Sequence, residues 1–408
     1  MTVQLNKNHP GNPPLTLDHS FFQSPHAVYA ELNRRGAVHR VRIQGEVDVW
    51  MVTRYAAARK LLADPRLKKH GPTASSLFPA GHTTIGTVLG DNMLFRDPPD
   101  HTRLRRLVTA AFTAQAMRGL RPAIVEIADD LLTAMGHQAP GRIDLMQSLA
   151  LPLPIRVIGE LLGVPAESRE RFTSLTMPIF DTSAPDEMDR ARQELTELLR
   201  SIVAAKREEP AGDVFGHLVH LRDNGDRLTE DELLGTAFLL IVAGYETTVN
   251  LIANGTLALL RNPAQLAAVR ADRSLLPSAI EEALRAESPL NTATVRFTSE
   301  PVDVDGIEIP ARQLVMIALL GANHDERQFD DPDSFNVHRT DNRHLAFGHG
   351  IHHCIGAPLA RMEAEIAFEG LLSRFPQIEL AADEPLEYRP STLLHGLLSL
   401  PVHIGPRH

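Results

Sequence analysis

Apolar positions at helical spacing mark most of this chain. From Pro25 to Arg35 and from Tyr55 to Leu62 they recur every three or four residues, the period of a helix with one buried face. Ala123 to Met135 and Leu153 to Leu162 read the same way, as amphipathic scaffold helices. The longest such stretch runs from about Glu232 to Leu260, and between Ala237 and Gly244 it is apolar on every side, as a helix through a core is. Pro277 to Arg285 predicts a shorter helix. Leu359, Met362 and Ile366 predict another, opening at Ala357-Pro358 and ending at Phe375-Pro376, since proline fits a first helical turn.

Period-two alternation appears twice. Val41, Ile43, Val47, Val49 and Met51 alternate about Gln44-Gly45, and Val302 to Ile309 alternates about Asp305-Gly306, so both read as β-hairpins. Gly71 to Phe95 keeps no period and reads as a mobile loop, of a length that in compact domains usually serves as a lid or binding loop; a surface loop without a function is the alternative. Phe172 to Met188 mixes apolar residues with prolines and acids, a lid or an ordinary connection between two helices. Ser391 to Gly396 has the character of a tight turn. The fold class is therefore mainly α with small antiparallel β-sheets.

A chain of 408 residues has the length of two or three domains, yet no low-complexity linker and no repeat interrupts it. We expect one domain over residues 21–408, after an N-terminal extension over 1–20. With 43% hydrophobic and 23% charged residues it can bury a large core. A formal net charge of -10 argues against nucleic acid as a partner, because duplex binding rests on many cationic contacts to phosphate. The single cysteine excludes an intramolecular disulfide and suits a cytoplasmic location. Met1 to Pro14 carries neither the apolar core of a signal peptide nor a membrane-spanning segment, so no membrane anchor is expected.

That cysteine lies in Phe347-Gly348-His349-Gly350-Ile351-His352-His353-Cys354-Ile355-Gly356. Glycines let a backbone take positive φ and approach another group closely, so the loop can wrap a sulfur. Placed at a helix N-terminus, Cys354 is expected to favour thiolate, a soft ligand suited to iron. A small buried hydrophobe is the commoner fate of a lone cysteine. A metal site of His349, His352, His353 and Cys354 packs four ligands into six residues, too few to surround one ion easily. A cysteine nucleophile has no supporting local signature.

The loop resembles the cysteine-ligand loop of the cytochrome P-450 family, with Phe347, Gly348, Gly350, His352, Cys354 and Gly356 in the family's places. The resemblance implies a haem b cofactor whose iron takes Cys354 as axial ligand. Other segments agree. After the helix-start signal Asp97-Pro98-Pro99-Asp100, His101 and Arg105 share one helical face; alone they read as a solvated face, and the resemblance makes them contacts to the haem propionates, together with Arg296 and His352. Ala243-Gly244-Tyr245-Glu246-Thr247-Thr248 resembles the family's oxygen-binding motif, which implies a helix that widens for dioxygen at Ala243 and Gly244 and a proton relay through Glu246 and Thr247. Glu282 and Arg285 alone would be a surface pair worth roughly 0.3–0.5 kcal/mol. With Arg339 they resemble the family's buried structural network.

By the same resemblance Leu240, Ala243, Leu290, Thr294, Leu393 and Leu394 line the substrate pocket. Electrons are expected from NAD(P)H through a ferredoxin reductase and a ferredoxin, with dioxygen as co-substrate. Arg103, Arg106, Arg118, Arg343 and Arg361 are expected to form a basic patch on the cysteine side that attracts the acidic donor. The reaction implied is insertion of one oxygen atom into a small organic molecule. The aliphatic pocket segments and a likeness to actinobacterial members suggest a large apolar or macrolide-like metabolite. A haem-binding sensor without turnover and a non-haem metal or cysteine hydrolase are the rival classes.

Overall fold

The computed structural model describes residues 14–43, 47–79, 92–180, 185–209, 212–221, 226–381 and 385–405. Its axis is the helix Glu230–Arg261. Thr229 caps it in a capping box with Glu232, two reciprocal bonds that satisfy orphan N–H groups and start the helix ahead of the expected Glu232. By length and composition this helix could cross a membrane, but 72% of its most apolar window is buried inside the molecule. It packs on Pro152–Leu162, Leu276–Ala286 and Ala357–Arg374. Gly255 permits the last approach, since a Cβ there would lie 2.6 Å from the Phe368 ring.

The helix expected from Ala123 begins earlier, at Ala114, because Thr113 accepts a hydrogen bond from the Ala116 N–H; it ends at Gly136 with Pro122 inside it. Gly71 to Phe95 is not uniformly loop. Gly71–Ser75 is helical and Met93–Phe95 forms a 3-10 turn capped by Asn92, while residues 80–91 lie outside the described residues. Phe172 to Met188 holds the end of the helix Arg169–Thr176, the 3-10 turn Met177–Phe180 and the start of Pro185–Glu208.

Both expected hairpins form, Val38–Ile43 with Val47–Val52 and Val302–Val304 with Ile307–Ile309. The turn at Gln44-Gly45 lies outside the described residues. In the second, Asp305 and Gly306 take φ of 52° and 81°, as a two-residue turn between twisted strands requires. The largest sheet is mixed where antiparallel strands were expected. Leu15–Thr16 runs parallel to Val38–Ile43, and Val47–Val52 runs parallel to Leu314–Ile317. Such pairs come from distant parts of the chain, so no hairpin dictates their direction. Leu15 also brings the chain into the sheet ahead of the boundary expected at residue 21. Arg296–Thr298 and Leu67–Lys68 complete that sheet, and Ile378–Leu380, Pro401–Ile404 and Gly141–Asp144 form a separate antiparallel one.

Behind the cysteine loop, Glu282 and Arg285 are fully buried. Arg285 donates two bonds of 2.9 Å to the Glu282 carboxylate and others to the carbonyls of Asn323, Pro332 and Ser334. Arg339 Nε reaches the same carboxylate at 3.0 Å. A buried ion pair with every lone pair used holds the 330–345 segment against the core.

Candidate functional site

The loop folds back on itself through Gly348 N–H to Leu345 O at 2.7 Å, His353 N–H to Gly350 O at 3.0 Å and Cys354 N–H to Phe347 O at 2.9 Å. Gly348 and Gly350 stand at φ of 71° and 77°, and a Cβ on Gly350 would meet the Leu62 carbonyl at 2.9 Å. Glycine is needed there twice over, for its dihedral and for its missing side chain. Arg105 Nη2 donates to the His353 carbonyl at 2.7 Å, and the Arg361 guanidinium lies 4.5 Å from the Phe347 ring centre.

Cys354 precedes the helix Ala357–Arg374, as expected, and its side chain is exposed. The surrounding protein pushes its thiol up, while the Gly356 and Ala357 N–H groups, Arg105 and Arg361 pull it down. A bound iron would reverse the balance, because a coordinated thiol is deprotonated outright.

Around the loop gathers a set of basic side chains, most of them buried. His101, 2% exposed on Asp100–Ala111, packs against His352 with ring centres 4.3 Å apart and planes tilted by 58°. Arg296, 4% exposed, donates to the Leu62 carbonyl at 3.0 Å. Lys69 is as deeply buried and donates to Thr294 Oγ1 at 2.5 Å. Burial, then Lys69, His101, Arg296 and Arg105, hold the His352 ring far below its ordinary pKa. The nearby carboxylate, Asp97, already accepts from the backbone N–H groups of Lys69 and His70. Among the described residues both ring nitrogens of His101 and the Nε of Arg296 have no hydrogen-bond partner, and Asp97 is the carboxylate that acts on Lys69, His101 and Arg296. Buried donors without acceptors are costly. The set fits a group that brings two carboxylates, which haem does.

Burial of the long helix is interrupted at Val242, Ala243 and Gly244 and again at Glu246 and Thr247. The helix runs unbroken through these positions, so the expected widening is absent here; Thr247 Oγ1 instead donates to the Ala243 carbonyl at 2.6 Å. Glu246 is paired with Arg389 Nη1. Burial raises its carboxyl above the usual range and Arg389 opposes the rise. Tyr245 turns away, its hydroxyl 3.0 Å from Met177 Sδ.

The two expected pocket segments meet. Leu290 bridges Leu394, the Asn291 N–H donates to the Leu393 carbonyl at 2.9 Å, and all three leucines are half-buried. Leu240 is buried one turn before Ala243, and the Thr294 hydroxyl is committed to Lys69.

The basic patch does not stand free. Arg103 pairs with Asp226 and Glu232, Arg106 lies 3.8 Å from Asp226, Arg343 bonds Asp341, and Arg361 bonds Glu281; Arg118 is exposed. Counting arginines missed their acidic partners, which arrive from other elements. Lys69 and Arg389 were missed for a related reason. The antiparallel register of Leu67–Lys68 with Phe297-Thr298 carries Lys69 to Arg296, and nothing local reports it.

A mainly helical body that presents a loop-borne cysteine beside a buried cationic cradle defines the class of haem enzymes. The family model described as Cytochrome P-450 matches residues 10–170 and 168–402. This chain belongs to that family: it is a monooxygenase, an oxidoreductase that binds haem b, uses dioxygen and receives electrons from NAD(P)H through redox partners. It is 45% identical to Cytochrome P-450 107B1 of Saccharopolyspora erythraea, over 96% of this chain and 98% of that one. To the P-450 monooxygenase PikC of Streptomyces venezuelae it is 46% identical, over 95% and 92%. The solved structure of the tirandamycin C-bound P-450 monooxygenase TamI superposes with a TM-score of 0.87 at 46% identity, over 96% of this chain and all of that one. The sensor and hydrolase alternatives find no support in this company.

Proposed function

We propose that this chain hydroxylates or epoxidises a large, mostly apolar polyketide or macrolide-like metabolite in the cytoplasm, drawing electrons from a ferredoxin and its reductase. The observation that carries the site assignment is the cluster of basic side chains beside the Cys354 loop, with His101 Nδ1 and Nε2 and Arg296 Nε left unpartnered among the described residues. His101, Arg105, Arg296 and His352 would hold the two haem carboxylates, with Lys69 as a further cation. Cys354 Sγ would ligate the iron, in the loop that Phe347, Gly348, Gly350 and Gly356 shape. The bound haem supplies the iron on which dioxygen is activated and the thiolate's electron push.

The remaining work falls to the protein's own groups. Ala243 and Gly244 leave room in the middle of the long helix, where burial lapses between Val242 and Gly244. Glu246, its carboxyl raised by burial and tied to the partly exposed Arg389, can take a proton from the solvent side and pass it toward Thr247 Oγ1. Thr247 is held for this by the Ala243 carbonyl, so its oxygen keeps lone pairs for an incoming donor. Leu240, Leu290, Leu393 and Leu394 give the pocket an apolar wall. The polyketide class rests on the likeness to PikC and to tirandamycin-bound TamI.

Titration of macrolides and other polyketides against the ferric protein, read as a blue shift of the Soret band, tests the substrate class. Saturable shifts with these compounds are expected; a panel that shifts nothing while fatty acids or steroids do would overturn it. Thr247→Ala should keep haem and substrate binding but divert most of the NAD(P)H consumed into peroxide. Unchanged coupling to product would remove Thr247 and the relay from the scheme.

A further inference from the structure

On the body of the molecule, away from the cysteine loop in sequence, three segments bring His26, Glu287 and His395 together. His26 lies in the helix Pro25–Arg35, Glu287 caps the C-terminus of Leu276–Ala286, and His395 follows the turn that begins at Ser391. The Glu287 Oε2 lies 3.3 Å from His26 Nε2 and 3.0 Å from His395 Nε2. All three ligand atoms fall within 4.8 Å of one another.

We propose that His26, Glu287 and His395 form a second, non-haem metal site that takes a divalent first-row cation, with zinc as the best-fitting ion. Two imidazoles and one carboxylate are the donor set of zinc sites that keep a fourth position open. A tetrahedral ion with ligands roughly 2.0–2.1 Å away holds its donors roughly 3.3 Å apart, close to the two spacings that Glu287 Oε2 makes, with the two imidazole nitrogens within 4.8 Å of each other. His395 is 2% exposed, and among the described residues neither its Nδ1 nor that of His26 has a hydrogen-bond partner. Both Nε2 atoms face Glu287 Oε2, so a metal bound there takes the place of the ring protons that the carboxylate accepts in the metal-free protein.

The fourth position has a route to water. His26 and Glu287 form part of the wall of an open cleft of about 780 Å³, which His324, Asp331 and Asp333 also line. His324 packs on the His26 ring at 4.6 Å. Its Nε2 lies 2.9 Å from the Ala286 carbonyl and its Nδ1 3.3 Å from Asp333 Oδ1, which brings a second carboxylate close to the cluster at the cleft. Tyr388 stacks on His395 at 4.7 Å and 6°, fixing that ring from behind. A bound ion would clamp the N-terminal helix to the body, so it should raise stability by mass action without touching the haem.

The test uses the haem-loaded protein, stripped with EDTA and dialysed against low-micromolar zinc chloride, with zinc and iron counted by plasma mass spectrometry and Tm measured with and without zinc. One zinc per haem and a zinc-dependent rise in Tm are expected for the wild type, both lost in His26→Gln and Glu287→Gln, with the Soret band unchanged throughout. The chain has 19 histidines, so the variants separate this site from scattered surface binding. His26 is about a third exposed, and its replacement leaves no buried hole, so it decides the matter even if Glu287→Gln does not fold. A zinc content near zero in the wild type overturns the site, and so does equal zinc and equal Tm rise in His26→Gln; Glu287 would then simply accept two hydrogen bonds. Neither result depends on the P-450 reading.

Discussion

Lys69 is buried beside Arg296 and donates to the Thr294 hydroxyl; burial and Arg296 push its amine well below its ordinary pKa, and a charged Lys69 there needs an anion close by. If haem carboxylates supply that anion, Lys69→Met has opposite effects on two states. The haem-free protein should gain stability, because a poorly compensated buried amine is gone. The loaded protein should lose haem to a competing globin about tenfold faster, since a charge-assisted bond contributes about 1.5–3 kcal/mol. Haem loss at the wild-type rate would remove Lys69 from the cradle.

Glu281 offers a pH test at the same scale. Burial raises its carboxyl, but bonds from Arg361 and His344 outweigh this and hold it down at about 2, below its ordinary 4.5. A carboxylate with a lowered folded pKa stabilises the fold above the unfolded value and ceases to as pH falls toward the folded one. Glu281→Gln should therefore cost roughly 1–3 kcal/mol near neutrality, with the deficit shrinking as pH drops below about 4.5. Thermal melts of both proteins across that range check it; a constant deficit would contradict the ion pairs.

At the scale of elements, the long helix and the helix after the cysteine meet where Gly255 lets Phe368 approach. Gly255→Ala removes flexibility from the unfolded chain but sets a methyl 2.6 Å from the ring, and overpacking of this kind typically costs 1–3 kcal/mol. Chemical denaturation should show a lower midpoint; an unchanged or higher one would mean the two helices can part at no cost. Because Ala357–Arg374 begins three residues after Cys354, the variant should also loosen haem retention.

For the whole molecule, what the sequence disclosed and what it hid divide along the range of the interactions. Cys354 and its glycines are legible because a short loop carries both the sulfur and the dihedrals that wrap it. Glu230–Arg261 is legible because its apolar run from Ala237 to Gly244 ends at Glu246 and Thr247. Hidden were the contacts made by register and by tertiary approach: Lys69 beside Arg296, Arg389 on Glu246, the acids that occupy the basic patch, and the parallel strand pairs.

The account as a whole depends on Cys354 sulfur holding haem iron. The direct measurement is the absorption spectrum of the dithionite-reduced protein under carbon monoxide, for the wild type and for Cys354→Ser. The wild type should absorb at the long wavelength of a thiolate-bound haem adduct, and the serine variant should lose that band. A wild-type adduct absorbing where histidine-ligated haem does, or a band that survives the serine replacement, would contradict the claim.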